Sequence, residues 1–305
     1  MKNFFEHTSA SWVRYSDYEW KKAPDGKEYL VPAEKAEPKP YDPMEVAEEL
    51  VLAAADIGLM LFQRASENAV KEAIRAFACR YGLLGIMTAL PTTPRFIEYE
   101  KVYFNKNPFV PDRSETDKKD VPDETMDTKD FIRLFFPFRE PDFQKQGVES
   151  VWNIEDRKMI ALAATYRHDP QAMVMSFMRD YGERYNWLAT AFKDWTFILV
   201  TATLYYTDKD SLDEETLDLY RKGMASFEGN TPTYHLELRE HPTLVWDFHS
   251  LLLNIRILFS MALTDENNPL RICRQCQRPF FAGKADAEFC SPACREQHWK
   301  KRGKR

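Results

Sequence analysis

The chain has 305 residues, of which 44% are hydrophobic and 14% aromatic, and its formal net charge is −6. This apolar content suffices for a large core and excludes a chain that is disordered throughout. Its 10 glycines and five cysteines are too few for a glycine-rich β-repeat or for a disulfide scaffold of this size.

The first 41 residues predict a β-hairpin followed by a linker. Strand-forming residues between Trp12 and Trp20 precede the turn sequence Ala23-Pro24-Asp25-Gly26, so residues 12–31 are predicted to form the hairpin. A linker is expected next because several prolines follow: Pro32, Pro38, Pro40 and Pro43.

Residues 42–268 predict a helical domain. Asp42 followed by Pro43 suits a helix start, and Ser66 suits a second one. Apolar residues recur at helical spacing after both positions, and Gly82 suits a helix end. This stretch is therefore either two antiparallel helices or one interrupted helix.

The rest of this domain alternates helical patterns with extended and charged segments, and the predicted fold class is mainly α. Residues 112–130 hold eight acidic and four basic residues and predict a solvated loop. An apolar helix is predicted between Pro242 and Leu263. Residues 195–206 are compatible with either a helix or a strand. The other predictions are extended segments at 95–110 and 234–238 and helices at 128–136, 153–166, 170–206 and 212–227.

Four of the five cysteines crowd together near the C-terminus, in the pattern C-x2-C, thirteen residues, C-x3-C. Two sulfurs separated by two residues can chelate one ion, and four thiolates complete the tetrahedral shell that Zn²⁺ accepts. Soft sulfur ligands disfavour Mg²⁺ and Ca²⁺. The pattern predicts one structural Zn²⁺, with four cysteines that bind no metal as the alternative. The predicted ligands are Cys273, Cys276, Cys290 and Cys294.

The residues around these cysteines predict a treble-clef-like finger over residues 269–305. The first cysteine pair would form a knuckle, and Phe280-Phe281 would pair with Glu288-Phe289 as a short hairpin. Ser291, followed by a proline, suits a helix cap. Cys294 would then lie in the first helical turn, where backbone N–H groups and the helix dipole favour a thiolate.

The finger is basic and the remainder of the chain is acidic. Residues 271–305 hold ten lysines and arginines against three acids, a net charge of +7, whereas the other 270 residues carry −13. An acidic body with a basic tail suggests two functional units.

The last predicted helix combines cations with one tryptophan. Arg295, Trp299 and Arg302 are spaced i, i+4 and i+7, so they share one stripe. An exposed tryptophan can stack on a base while cations meet phosphates. A solvated terminus with Trp299 packed on the finger is the alternative. The predicted nucleic-acid contacts are Arg295, Trp299, Lys300, Lys301, Arg302, Lys304 and Arg305.

DNA is the favoured nucleic acid, although the sequence does not separate it from RNA. One finger offers too little surface for a long specific site, so a homodimer or help from the N-terminal domain is expected. A zinc-stabilised protein–protein interaction module that docks on an acidic partner is the second hypothesis.

The tail CRQCQRPFFAGKADAEFCSPACREQHWKKR resembles a short zinc finger that ends many bacterial proteins. Its placement after a helical domain of unknown function is similar to that of CGNR-type zinc fingers. Where that type has Cys-Gly-Asn-Arg, this chain has Cys294-Arg295-Glu296-Gln297. The resemblance covers the finger and the helix before it, and it implies a DNA-binding regulator of transcription.

An enzyme with a site in the helical domain is the least favoured hypothesis. The sequence has no G-x-S-x-G, H-E-x-x-H, P-loop or G-x-G-x-x-G motif. A methionine-rich stretch at 173–178 is expected to be core, with a ligand pocket as the alternative. The candidate side chains lack a partner motif and are expected to be structural: Cys79, His168, His235, His241 and His249.

A cytoplasmic location is predicted. The N-terminus has no apolar h-region, and no uninterrupted apolar run reaches about 18 residues. The nearest candidate, residues 251–263, is interrupted by Asn254, Arg256 and Ser260. Thiols stay reduced in the cytoplasm and can therefore bind metal.

Overall fold

The computed structural model describes residues 8–9, 12–88, 101–103, 125–139, 178–208, 210–225, 233–248, 250–284 and 286–302. About half of these residues are helical, and the strands form small sheets. The helices are α1 (Ala47–Phe62), α2 (Glu67–Tyr81), α3 (Thr128–Arg133), α4 (Tyr185–Asp208), α5 (Glu214–Ala225), α6 (Leu251–Thr264) and α7 (Pro292–Arg302).

Within the described part of the chain, the strands are short and lie in five sheets, with the orders β1-β10-β9, β2-β5, β3-β4-β8, β6-β7 and β11-β12. All pairs are antiparallel except β1 with β10. The strands are β1 (Thr8–Ser9), β2 (Trp12–Tyr15), β3 (Tyr18–Lys22), β4 (Glu28–Pro32), β5 (Pro38–Tyr41), β6 (Lys101–Tyr103), β7 (Thr125–Asp127), β8 (Glu183–Arg184), β9 (Thr233–Leu238), β10 (Pro242–Asp247), β11 (Leu270–Ile272) and β12 (Pro279–Phe281).

The N-terminal hairpin is present, formed by β3 and β4 around the predicted turn. Gly26 takes a φ of 80° in that turn, a left-handed conformation that glycine adopts without strain. The proline-rich segment, where a linker was expected, contains strand β5 paired with β2. Among the strands that the structure describes, β5 pairs with β2 alone, and Pro38 and Pro40 are tolerated because its other edge then needs no N–H donors.

Helix α1 lies at the centre of the helical layer and packs against α2, α4 and α6. Gly58 allows α4 to come close, since an added Cβ would overlap Thr196 Oγ1 and the Phe192 carbonyl oxygen. Thr196 Oγ1 donates to the Ala55 carbonyl oxygen across the same contact (3.4 Å). The N-terminal strands contribute to the same core with Trp12, Val13, Tyr15, Tyr18 and Leu30.

The predicted helix ends after residue 42 are confirmed, and they resolve the open choice in favour of two helices. Ser66 caps α2 by accepting a hydrogen bond from Ala69 N (3.4 Å), and Gly82 ends that helix with a φ of 91°. Asp42 also acts as a cap, but on a short 3₁₀ turn at Pro43–Val46 that precedes α1.

The second half of the domain departs from the prediction at two helix starts. The helix predicted at 170–206 includes strand β8, so α4 begins only at Tyr185. Residues 195–206 lie within α4, which settles the choice between helix and strand there. The apolar helix α6 begins only at Leu251, because residues 242–247 pair with β9 instead. Ser250 marks the true start, accepting a hydrogen bond from Leu253 N (3.1 Å).

Several predicted segments lie wholly or partly outside the described residues. The charged loop predicted at 112–130 is described only from residue 125, where β7 leads into α3. The extended segment at 95–110 is described only as β6, which pairs with β7. The helix predicted at 153–166 and all of the methionine-rich stretch except Met178 fall outside the described ranges.

A buried glutamate ties β8 to the loop that follows α2. The carboxylate of Glu183 accepts hydrogen bonds from Leu84 N (2.8 Å), Ile86 N (2.9 Å) and the Tyr181 hydroxyl (2.7 Å). Burial raises the pKa of Glu183, even though these donors favour the charged form. The loop at 82–87 is thus held to the core through one carboxylate.

Candidate metal centre

The first cysteine pair lies in the turn between β11 and β12 and forms the predicted knuckle. Cys273 is fully buried, and its backbone N–H donates to the Arg278 carbonyl oxygen (2.9 Å). Gln277 N donates back to the Cys273 carbonyl oxygen (2.9 Å) and takes a left-handed φ of 58°. The turn places Cys276 beside Cys273.

The hairpin predicted within the finger is wrong in its pairing. Phe280 and Phe281 lie opposite Arg271 and Leu270, not opposite Glu288-Phe289. The knuckle itself reverses the chain, so the strand that precedes the first cysteine becomes the partner. The segment with Glu288 contacts the knuckle through one backbone hydrogen bond, from Arg274 N to the Glu288 carbonyl oxygen (3.0 Å).

All four predicted ligands come together. Their Sγ atoms lie within 4.8 Å of one another, with 3.7 Å between Cys276 and Cys290 and 3.5 Å between Cys290 and Cys294. Metal–sulfur bonds of about 2.3 Å in a tetrahedral site place the sulfurs about 3.8 Å apart. The cluster therefore has the size and the donor atoms to hold one metal ion.

Helix α7 supplies the last of the four sulfurs. Ser291 Oγ accepts a hydrogen bond from Cys294 N (3.2 Å), as the predicted cap requires, and Pro292 occupies the first helical position. Cys294 therefore lies in the first turn, at the positive end of the helix dipole. The start of α7 is thus tied to the cluster.

The thiols influence one another strongly. Burial alone would raise the pKa of Cys273, but backbone N–H groups of Cys276, Cys290 and Gln275 outweigh it and lower that pKa to about 6. Burial and the neighbouring thiols raise the pKa of Cys290 to about 12. A bound cation is what allows all four sulfurs to ionise together, because it offsets their mutual repulsion.

The predicted nucleic-acid contacts on α7 are exposed as far as they are described. Arg295 and Lys301 reach into solvent, and the Lys300 ammonium lies 3.8 Å from a Glu296 carboxylate oxygen. Trp299 is 55% exposed. Arg302 ends the described part of the helix, whereas Lys304 and Arg305 lie outside the described residues.

His298 does not join the cysteine cluster. Its ring lies against Phe289, with 5.1 Å between centroids, and edge-on to Trp299 at 5.5 Å. It is half-buried in this contact. The histidine thus links α7 to the segment that carries Cys290.

The finger docks on the helical body, which the sequence did not reveal. Leu270 is fully buried in the main core, and Ile272 and Phe281 pack against that core. The Arg271 guanidinium lies over the Tyr206 ring of α4, 5.9 Å from its centroid. The apolar residues that flank the knuckle are the one feature of the sequence that could have indicated this contact with the body.

A charged contact accompanies this packing. Partial burial raises the pKa of Asp56 on α1, and the nearby Arg278 guanidinium of the knuckle acts in the opposite direction. A second arginine of the knuckle, Arg274, pairs with Glu288 within the finger (2.9 Å). Arg274 is therefore already paired with an acid, whereas four of the finger's cations lie on α7: Arg295, Lys300, Lys301 and Arg302.

The side chains considered for catalysis are not assembled into a site within the described residues. His235 Nε2 lies 3.3 Å from Glu237 Oε1, and His241 is exposed. Cys79 Sγ lies 3.7 Å from Asp17 Oδ1, and burial raises the pKa of this thiol. His168 and His249 lie outside the described ranges.

The chain matches no protein-family model, no curated protein and no solved structure. The likeness of the tail to CGNR-type fingers therefore stays a resemblance of motif and placement. Among the helices that the structure describes, none is both long enough and apolar enough to cross a bilayer. The cysteine cluster and the surface beside it are the features from which function is argued.

Proposed function

We propose that the four cysteines hold one Zn²⁺ as a structural ion in a treble-clef-like finger. The support is the all-sulfur donor set at tetrahedral spacing, with two ligands from a knuckle and one from the first turn of a helix. A closed shell of four thiolates leaves no position for a substrate. The ion would therefore order the finger and take no part in a reaction.

We further propose that α7 binds nucleic acid, with DNA as the first candidate, in a regulatory role. The observation that carries this is the exposed Trp299 beside the cations Arg295, Lys300 and Lys301, on a helix whose start is tied to the metal cluster. The cations would meet phosphates, and the indole would stack on a base or lie against a sugar.

The distribution of charge supports one mode of approach. The body carries a net charge of −13 and would repel a polyanion, whereas residues 271–305 carry +7. Nucleic acid would therefore reach the protein from the side of the finger. If about five phosphates are neutralised, log K falls with log salt at a slope of about −4 to −5 on duplex DNA.

The test titrates the full-length, zinc-loaded protein with random duplex DNA, single-stranded DNA and RNA at two salt concentrations. Arg295→Glu with Lys301→Glu should weaken binding by roughly tenfold or more and make the salt slope shallower by about two. Lys35→Glu with Lys39→Glu makes the same charge change at exposed positions away from the finger and serves as the control.

An equal loss in both double variants would contradict a role for α7, since it would mean attraction by overall charge. No binding to any nucleic acid would favour the second candidate, a zinc-stabilised module that docks an acidic protein partner. The packing of β11 and β12 on the body favours that candidate, because it makes the finger a fixed part of the protein surface. Preference for duplex DNA over RNA is the result expected of a DNA-binding regulator.

A further inference from the structure

Helix α4 carries an apolar stripe on its outer face. Phe197, Val200 and Leu204 are spaced i, i+3 and i+7, so they lie on one side of the helix. Phe197 is 50% exposed and Leu204 is 40% exposed, whereas Val200 is half-buried. The Phe62 ring, at the end of α1, stacks on the Phe197 ring with 6.5 Å between centroids and is itself 36% exposed. Two aromatic and two aliphatic side chains thus share one exposed surface.

The opposite face of α4 already supplies the core. Phe192, Trp195, Leu199 and Ala202 are buried on that face. An amphipathic helix needs one apolar face for the core and a polar one for water, so the outer stripe is not required by the packing of this chain. Apolar side chains that cluster on an exposed face mark an interaction surface.

The two ends of the stripe carry opposite charges. Lys193 lies one turn before Phe197 on the same side of α4, and Asp210 follows the end of the helix. Both side chains are exposed, and within the described residues neither forms an ion pair. Burial raises the pKa of the adjacent Asp194, and the Arg256 guanidinium of α6 offsets this more than Lys193 does. A surface with a cation at one end and an acid at the other complements a copy of itself turned end for end.

We propose that the stripe pairs with the same stripe of a second copy of this chain, with the two α4 helices antiparallel about a two-fold axis beside Val200. Such a contact uses one surface twice, as in most homodimers. Phe197 and Leu204 lie equally far from the axis on either side of it. Phe197 of each copy therefore faces Leu204 of the other, and Lys193 of each lies close to Asp210 of the other.

The apolar residues and the charges select the same register. With the axis beside Val200, both contacts of phenylalanine with leucine and both pairs of unlike charge form together. A shift of one turn toward the start of α4 would set Leu204 against Lys193. A parallel arrangement would set each charge against its own kind, which is unfavourable.

Pairing removes apolar surface of both copies from water. Helices that pack through side chains of this size approach to about 8–10 Å between axes, and the stripe is then covered along with the exposed part of Phe62. The contact involves neither the cysteine cluster nor α7. Its outcome and that of the proposed function are therefore separate.

The first experiment measures the mass of the full-length protein in solution by analytical ultracentrifugation over a dilution series. The wild type is expected to dimerise, and Phe197→Lys should raise the dimer dissociation constant by roughly tenfold or more, because an ammonium group would be buried against Leu204. Leu238→Lys on β9 is the matched control, since Leu238 is 89% exposed and lies outside the stripe. A monomeric wild type, or an equal effect of both variants, overturns the proposal.

The second experiment tests the antiparallel arrangement through its charges. Lys193→Glu and Asp210→Lys should each raise the dissociation constant by about two- to fivefold, as expected for an exposed ion pair. The double variant, which exchanges the two charges, should return to a value near that of the wild type. A double variant that is weakened by the product of the two single effects contradicts the contact between Lys193 and Asp210.

The third experiment tests the register. Val200→Cys should form a disulfide between two copies on mild oxidation of the zinc-loaded protein, because the two residues meet at the axis. Phe197→Cys should not, since the two copies of residue 197 would lie about 10 Å apart along the helices. Peptide mass spectrometry identifies the 200–200 link. Equal cross-linking of the two variants, or a 197–197 link, contradicts the register.

Discussion

Glu183 shows how one residue can hold a distant loop of the chain to the core. Its carboxylate receives two backbone N–H groups and a tyrosine hydroxyl in the core. A buried acceptor with several donors is costly to replace, because each donor left without a partner loses its hydration as well. This role could not be predicted from the sequence, since the two backbone donors lie about 100 residues earlier in the chain.

Glu183→Gln should lower the free energy of unfolding by about 1–3 kcal/mol, because the amide NH₂ would face a backbone N–H that now donates to oxygen. The deficit should depend on pH. Burial raises the folded-state pKa of Glu183 above the ordinary 4.5. The stability that Glu183 contributes to the wild type is therefore greatest below pH 4.5 and is lost as pH rises through the raised pKa, so the deficit of the variant should shrink with pH.

Urea unfolding of both proteins between about pH 4 and pH 8 measures this difference. Glu34→Gln, at an exposed position, is the control and should change stability little at any pH. A deficit that grew with pH would mean that the charged carboxylate is the favoured buried form.

At the scale of elements, two glycines in helices have opposite roles. An added Cβ at Gly58 would overlap α4, whereas an added Cβ at Gly223 on α5 meets nothing within 4 Å beyond its own helix backbone and chain neighbours among the described residues. Gly58→Ala should therefore lower the free energy of unfolding by about 1–3 kcal/mol through overpacking. Gly223→Ala should raise it by about 0.5–1 kcal/mol, because alanine favours the helix.

Urea unfolding followed by circular dichroism compares the two substitutions in one chain. Because both exchange the same atoms in a helix, the difference between them isolates the α1–α4 contact. A Gly58→Ala protein as stable as wild type would show that the two helices can separate without cost.

The helices were more predictable than the strands, for a local reason. The cap at Ser66 and the end at Gly82 are properties of neighbouring residues, and the structure has them as predicted. Strand β5 was expected to be a linker, and the residues of β10 were expected to begin the apolar helix, because what makes both segments strands is a partner elsewhere in the chain. Periodicity within a segment carries no information about such partners.

At the scale of the whole molecule, the finger and the body share one core. Leu270 and Phe281 belong to strands that flank the knuckle, and both contact the helical core. If the four cysteines hold a metal ion, as we propose, its loss would therefore disturb more than the finger. The coupling arises because the knuckle is the turn of the same hairpin that docks on α1 and α4.

Cys276→Ser should abolish stoichiometric metal binding, render residues 270–305 sensitive to protease and lower the thermal midpoint by roughly 5–10 °C. Metal analysis, limited proteolysis and thermal unfolding of the full-length protein measure the three effects. Cys79→Ser, far from the cluster in sequence and half-buried on α2, is the matched control and should keep the metal.

Two results would contradict these expectations separately. A Cys276→Ser protein that keeps one metal ion per chain would contradict the four-cysteine site. One that loses the metal but unfolds at the wild-type temperature would contradict the coupling of finger to body.

The meeting of the four cysteines in one cluster could be predicted from the sequence, because their spacing and the Ser291 cap are local. The pairing of β11 with β12 and the contact of Arg271 with Tyr206 could not. Those contacts depend on which surface of the body lies next to the finger, and that surface is assembled from helices far apart in the chain.

The pairing of β4 with β8 has a consequence for the order of events during synthesis. Leu30 lies opposite Glu183, about 150 residues later. At a translation rate of about 5–20 residues per second, β8 is synthesised roughly 8–30 s after β4. Throughout that interval the growing chain displays the open edge of β4 to chaperones and to other nascent chains. A ribosome-bound chain that stops before residue 183 should therefore recruit more chaperone than one that extends well beyond it.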